Sequence, residues 1–402
     1  MKRVLQSIGP AIIVAAVVLG PGSILTSSNV GATVGVLGFP VVIIAAILMI
    51  SMVALAARLG AVYDDSPCDQ LAKRLGRPVA VIIGLVLFMI VAFFQSSNNI
   101  ALIGGIEPLF GDGTLPYAAR CGVLIAANLL IIASLYLLRN LYRSVENLMK
   151  LLMGLMTLSF LFNFVVVFTR PRPYEPVAST DTLDWLPLLG MIGTTFSVAG
   201  AFYQAYLVKE KGWGLPEVRR GVIDSIVSIS LLGCVTSIIL LTSWRVFYQN
   251  PGVASLESVG DVAKQLEPLF GPSAKIIFCI GILAGALSSF LVNAMIGGTV
   301  MSDAIGKGSR LQDEWPVHMT AIALLVGMSV ALASLYNQDS TVHLITLAQA
   351  LTVLGTPALA AALIFLGTRR ELFGARKVPT LILVIASIGF CVSCVIAATT
   401  AV

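Results

Sequence analysis

The sequence predicts an all-α integral membrane protein of about eleven spanning helices, arranged as two inverted groups of five plus one extra helix. Three observations carry that reading. The 402-residue chain is 57% apolar and only 11% charged, with a mean hydropathy of +0.96, whereas soluble domains carry about 25% charged residues. The charges fall between long apolar blocks. Two of those blocks, the first and the sixth, are interrupted by residues that suit a helix poorly.

The first block, 9–36, contains Gly20-Pro21-Gly22-Ser23. Proline removes a backbone donor and glycine releases the backbone from helical geometry, so the run predicts an unwound segment over Gly20–Ser23. Blocks two to five follow at 39–58, 79–106, 118–138 and 145–169, with the polar stretch 59–77 read as a loop. The sixth block, 185–208, carries Thr194-Thr195-Phe196-Ser197-Val198-Ala199-Gly200-Ala201. Its small and hydroxyl residues predict a second break over Ser197–Gly200, in preference to reading Gly200 as a helix-packing glycine. The remaining blocks are 221–247, 273–300, 317–335, 343–366 and 379–401. The stretches 170–184 and 248–272 read as loops, the latter with room for short interfacial helices. At about 20 residues per crossing, the longer blocks must tilt or break. No Pro/Ser linker divides the chain, so residues 1–402 read as one domain: repeat one over 9–169, repeat two over 185–366, and the extra helix over 379–401.

Most of the 25 Lys and Arg residues fall in alternate loops, including Lys2, Arg3, Arg74, Arg77, Arg143, Lys209, Lys211, Arg219, Arg310 and Arg370. That bias predicts a cytoplasmic N-terminus and an outside C-terminus in a plasma membrane of bacterial inner-membrane type. The net charge of +5 is therefore a topology signal, and its scatter excludes a nucleic-acid patch. Met1-Lys2-Arg3 is too short for the charged region of a cleavable signal, so the first helix is expected to be retained. The six cysteines show no paired spacing and read as small apolar fillers. His318 and His343 start blocks nine and ten and read as interfacial. No catalytic set, zinc spacing or Gly-rich phosphate loop is present, so the chain is not read as an enzyme and no cofactor is expected.

Several motifs in order resemble the NRAMP divalent-metal transporters: Gly9-Pro10 with Gly20-Pro21-Gly22-Ser23, Ala57-Arg58-Leu59-Gly60 with Asp69-Gln70-Leu71-Ala72, and Asn98-Asn99-Ile100-Ala101-Leu102-Ile103-Gly104. Arg143-Ser144-Val145-Glu146, Ala284-Gly285-Ala286-Leu287-Ser288-Ser289, and Leu347-Ala348-Gln349-Ala350 followed by Arg369-Arg370-Glu371-Leu372-Phe373-Gly374 continue the series. The resemblance implies a LeuT-like fold and secondary transport. It also implies a metal site built on an Asp and an Asn in the first break and a Met in the sixth helix. Here Gly20 and Ser23 stand at the first two positions, and Ser197-Val198-Ala199 stands at the family's Met-Pro-His. Gln204 replaces a second histidine, Asn98 or Asn99 replaces a third-helix Glu, and Gln349 keeps the tenth-helix glutamine.

Without a carboxylate or thioether, such a site offers carbonyls, hydroxyls and amides, which repay poorly the desolvation of a bare divalent ion. The acids nearest the membrane, Glu146, Asp224 and Asp303, sit at the predicted cytoplasmic ends of helices. The candidate substrate-binding set is Gly20, Gly22, Ser23, Ser27, Asn98, Asn99, Ser197, Gly200, Gln204 and Gln349, with Ser28, Asn29, Gln95, Ser96 and Ser97 beside it and Tyr203 and Tyr206 adding bulk. The run Gln95–Asn99 reads either as cavity lining or as interhelical hydrogen bonding. Two half-helix N-termini near Gly22 and Gly200 favour negative charge. The expected partners are the lipid bilayer and a small anionic or polar solute in preference to a metal ion, with no metal site. The alternatives are a carrier of a divalent cation, such as hydrated Mg²⁺ or a Mn²⁺-like ion, and a non-transporting sensor on the same scaffold.

Overall fold

The computed structural model describes residues 9–111, 115–138, 140–171, 186–250, 256, 260–263, 271–336, 355–370, 372 and 374–401. Among them the chain forms helices and no strand. The first apolar block is two helices, α1 (Ala11–Val18) and α2 (Pro21–Thr33), bent by 56° at a short break. Then come α3 (Phe39–Val62), α4 (Pro67–Leu75), α5 (Arg77–Ile106), α6 (Tyr117–Leu137) and α7 (Leu141–Thr169). The second group is α8 (Leu186–Thr195), α9 (Val198–Glu210), α10 (Val218–Phe247), α11 (Pro272–Ala304), α12 (Glu314–Tyr336) and α13 (Gly355–Gly367), and the chain ends in α14 (Thr380–Ala401). Eight helices are long and apolar enough to cross a membrane, or nine with the bent pair counted as one span, among the described residues. The architecture is the all-α, inverted-repeat bundle with broken helices one and six.

The stretch 59–77, expected as a loop, is largely helical. Helix α3 runs on to Val62, and α4 starts at a cap in which the Ser66 hydroxyl accepts from the Asp69 N–H. Pro67 sits at the first helical position, Asp69 in the first turn, and Gly76, at φ 91°, stops the helix. This amphipathic helix lies beside α5 and α11.

The 33 residues of α11 make it about 50 Å long, well beyond a 30 Å hydrocarbon core, so it must tilt. It is also the most buried of the spanning helices, packed on α5, α7 and α12, while α6 and α14 are peripheral. Helix-to-helix spacing is set by glycine where backbones meet. Gly31 of α2 lies on the Leu240 carbonyl of α10, and Gly60 of α3 on the Ala205 carbonyl of α9. A methyl group fits at neither position, and small residues are what allow such approach in lipid.

Candidate functional site

Both breaks occur, one or two residues ahead of where the sequence places them. Helix α1 ends at Val18, Leu19 still bonds back to the Ala15 carbonyl, and Gly20 is extended at φ −85°, ψ −179° before Pro21 opens α2. Gly22 and Ser23 therefore lie inside the first turn of α2 rather than in unwound chain. At the second break α8 ends at Thr195, Ser197 is the N-cap of α9, and Gly200 is already helical. The physical reason is the same at both. Proline and a capping serine start helices well, so each break is confined to the residues just before them.

A break strands carbonyls in the membrane, and each must find a donor. In a continuous helix the Val17 carbonyl would be bonded by residue 21, but Pro21 has no N–H. The Ser289 hydroxyl of α11 donates to it instead, at 2.6 Å. Ser288 of α11 donates to the Ala16 carbonyl at 2.8 Å. Ser23 donates to the Val18 carbonyl at 2.6 Å, and its hydroxyl also lies 3.3 Å from the Thr194 carbonyl. Ser23 thus ties the two breaks together. Beside it, the Thr26 and Thr194 hydroxyls bond to each other at 3.0 Å. The Ser197 hydroxyl caps α9 by accepting from the Gly200 N–H at 3.4 Å.

Around these bonds lies a cavity of about 100 Å³, room for several waters. Its wall is formed by Val17, Val18, Gly20, Gly22, Ser23 and Thr26 at the first break, and by Gly190, Gly193, Thr194, Ser197 and Ala199 at the second. Ile90, Val91 and Phe94 of α5 and Asn293 of α11 complete it. The polar atoms facing it are hydroxyls, an amide and backbone, without a carboxylate. Among the described residues no group of three His, Cys, Asp or Glu could hold a metal ion.

Of the candidate set, the structure brings Gly20, Gly22, Ser23 and Ser197 together at this cavity. It places the others elsewhere. Gln95, Asn98 and Asn99 are buried in a bonded chain between helices: Gln95 donates to the Phe290 carbonyl, Asn98 to the Gln95 side chain, and Asn128 of α6 to Asn99, each at 2.7 Å. Ser27 and Gln204 are fully buried away from the lining, without hydrogen-bond partners among the described residues. Gly200 packs against Val14 and Val18. Tyr203 and Tyr206 are buried, and the Tyr206 hydroxyl donates to Asp303 at 2.7 Å, out of the cavity. Gln349 and His343 lie outside the described residues. The reading missed Thr26, Asn293 and the serine pair of α11. A Cβ at Gly20 would point onto the Ser289 hydroxyl.

The three membrane-edge acids sit at the opposite end from the cavity, each gripping a broken helix or its extension. Asp224 of α10 accepts from the N–H groups of Gly9 and Ala11, at 2.6 and 2.9 Å, and so caps α1. Asp303 accepts from Tyr206 of α9, from the Ser66 hydroxyl and from the Cys68 N–H. Glu146 pairs with Lys211, just past α9, and with Lys150. All eight residues of α1 are buried. A second cavity of about 570 Å³ lies at this end, with Tyr63, Asp64, Tyr206, Lys209, Glu210 and Arg310 in its wall.

The family model described as natural resistance-associated macrophage protein-like matches residues 11–402. The chain belongs to the NRAMP family. A divalent metal cation transporter of Verminephrobacter eiseniae is 24% identical over 95% of this NRAMP chain and 86% of the relative. The crystal structure of the Eremococcus coleocola manganese transporter superposes with a TM-score of 0.80 at 18% identity, over 98% of this chain and 86% of that one. MhsT, solved in complex with L-phenylalanine, superposes at a TM-score of 0.60 and 17% identity, over 97% and 98% of the two chains, in keeping with a LeuT-like fold.

These relatives overturn the expectation that a small anionic or polar solute is preferred to a metal ion. The electrostatic argument behind it counted only the helix N-termini of α2 and α9. The C-terminal ends of α1 and α8 meet at the same cavity with the opposite partial charge, and Ser197 already occupies the Gly200 N–H.

Proposed function

We propose that this NRAMP protein is a secondary transporter of a divalent metal cation, and that the ion crosses the cavity with most of its water retained. One observation carries the hydrated form: the polar groups that the cavity at the paired breaks presents, beside the apolar wall of Val17, Val18, Ile90, Val91 and Phe94, are all neutral. Neutral groups do not replace the inner shell of a divalent ion. They do suit the outside of that shell, because water bound to a cation donates its hydrogen bonds outward and needs acceptors. The hydroxyls of Ser23, Thr26, Thr194 and Ser197 and the amide of Asn293 supply them, and the C-terminal ends of α1 and α8 offset the N-terminal ends of α2 and α9. Mg²⁺ dehydrates most reluctantly and fits this mode best. The relatives named as divalent metal cation transporters support the substrate class. With the N-terminus in the cytoplasm, the cavity lies on the outer side of the breaks, and the buried α1 and the Asp303–Tyr206 contact close the inner side.

The test is flux into proteoliposomes loaded with a Mg²⁺-sensitive dye, with Mn²⁺ and Ca²⁺ in parallel. The expected result is Mg²⁺ uptake inhibited by cobalt hexaammine, an exchange-inert analogue of the six-water ion. Absence of flux for all three cations would overturn the function. Mn²⁺ uptake unaffected by cobalt hexaammine would overturn the hydrated form.

A further inference from the structure

We propose that Asn293 is a substrate-binding residue of this transporter, and the one that sets its selectivity among divalent cations. The inference rests on the divalent-cation reading above and names the residue on which it turns. In the family pattern the amide and carboxylate of the site come from the first break. Here that break offers Gly20 and Ser23, and a Cβ at Gly20 would point onto the Ser289 hydroxyl. The amide comes instead from α11, past the end of the Ala284–Ser289 motif.

Helix geometry explains the placement. Residues four apart share a helical face, so Asn293 stands one turn beyond Ser289, the residue that holds the Val17 carbonyl. The helix that fixes the stranded end of α1 thus presents its next turn to the cavity. Asn293 is half-buried and makes no hydrogen bond among the described residues. The neighbouring amides behave differently: Gln95, Asn98, Asn99 and Asn128 bond one another or backbone. An amide in the middle of an apolar helix, with no partner among the described residues and a cavity in front of it, is one whose partner is what enters the cavity. Its Oδ1 accepts from cation-bound water, and it is the one side-chain amide among the described residues of the wall. Because an amide is uncharged, it discriminates by hydration and size rather than drawing an ion out of its shell.

The experiment compares wild type with Asn293→Leu and Asn293→Asp in the Mg²⁺ and Mn²⁺ flux assay, with melting temperatures measured alongside. Loss of a hydrogen bond to a charged species predicts a rise in the Mg²⁺ KM of roughly 10- to 100-fold in Asn293→Leu. Asn293→Asp is expected to lower the KM for Mn²⁺ more than that for Mg²⁺, since a carboxylate competes for the inner shell. Asn293→Gln, which keeps the amide, serves if the Leu variant melts early, and its Mn²⁺/Mg²⁺ ratio is expected to change. Wild-type flux with KM values within twofold in every variant would overturn the role of Asn293 and leave the function standing. Absence of wild-type flux would overturn both.

Discussion

Replacing Asp224 by asparagine should release α1. In the structure the Asp224 carboxylate, wholly buried on α10, accepts from the Gly9 and Ala11 N–H groups and from the Ser228 hydroxyl. An asparagine has one acceptor oxygen, so one of the two N–H groups loses its partner and meets an NH₂ instead. Leaving a buried donor unsatisfied costs about 1–3 kcal/mol. Losing the negative charge at a partly buried helix N-terminus removes up to ~2 kcal/mol more. A net shift of about 2 kcal/mol changes the ratio of undocked to docked α1 by roughly 30-fold. The assay uses a variant in which all six cysteines are replaced and Val14, fully buried in α1, is made cysteine. A membrane-impermeant maleimide applied from the Gly9 side then reports undocking. The expected result is labelling roughly 30-fold faster in the Asp224→Asn background. An unchanged rate with an unchanged melting temperature would refute the reasoning, because it would mean that the two hydrogen bonds do not hold the helix.

Gly20→Asp places a Cβ on the Ser289 hydroxyl and competes for the Val17 carbonyl's donor, so it should destabilise by about 1–3 kcal/mol without creating a metal site. The check is melting temperature with Mn²⁺ calorimetry, and wild-type stability together with micromolar Mn²⁺ binding would sink the argument. Gln95→Ala removes the bridge between α5 and the Phe290 carbonyl of α11 and should cost about 1–3 kcal/mol, with the Mg²⁺ KM unchanged. A shifted KM at unchanged stability would place Gln95 in the transport path instead.

The membrane class and the two breaks were legible because they rest on composition and on local backbone chemistry. Gly-Pro-Gly cannot continue a helix wherever it lies in the fold, and Ser197 caps wherever a helix starts after it. The side chains of the site were less legible, since their direction depends on neighbours. The run Gln95–Asn99 shows why. Five consecutive residues on a helix turn through more than a full circle, at about 100° each, so they cannot all face one cavity. The structure puts Ile90, Val91 and Phe94, one turn earlier, at the wall and uses the amides to join α5, α6 and α11. Asn293 carried no local signal: it sits between Val292 and Ala294 in an unbroken apolar helix. Nor does a glycine in the sequence show what stands beside it: at Gly20 it is the Ser289 hydroxyl of α11.

The hydroxyls that hold the stranded carbonyls of α1 also give that helix a fulcrum. Its cavity end is pinned by Ser23, Ser288 and Ser289 through three short bonds. Its far tip is held by Asp224 alone among the described hydrogen bonds from side chains, with the Trp213 ring packed on Gly9. Helix α1 then has the proportions of a lever of eight residues, about 12 Å long, with its fulcrum at the end nearest the cavity. Swinging such a lever opens a path at the tip while leaving the carbonyls beside the cavity almost where they were. The contacts beside the cavity and the contacts to Asp224 therefore belong to opposite ends of one short helix, and a change at Asp224 is expected to loosen the tip without altering the cavity wall.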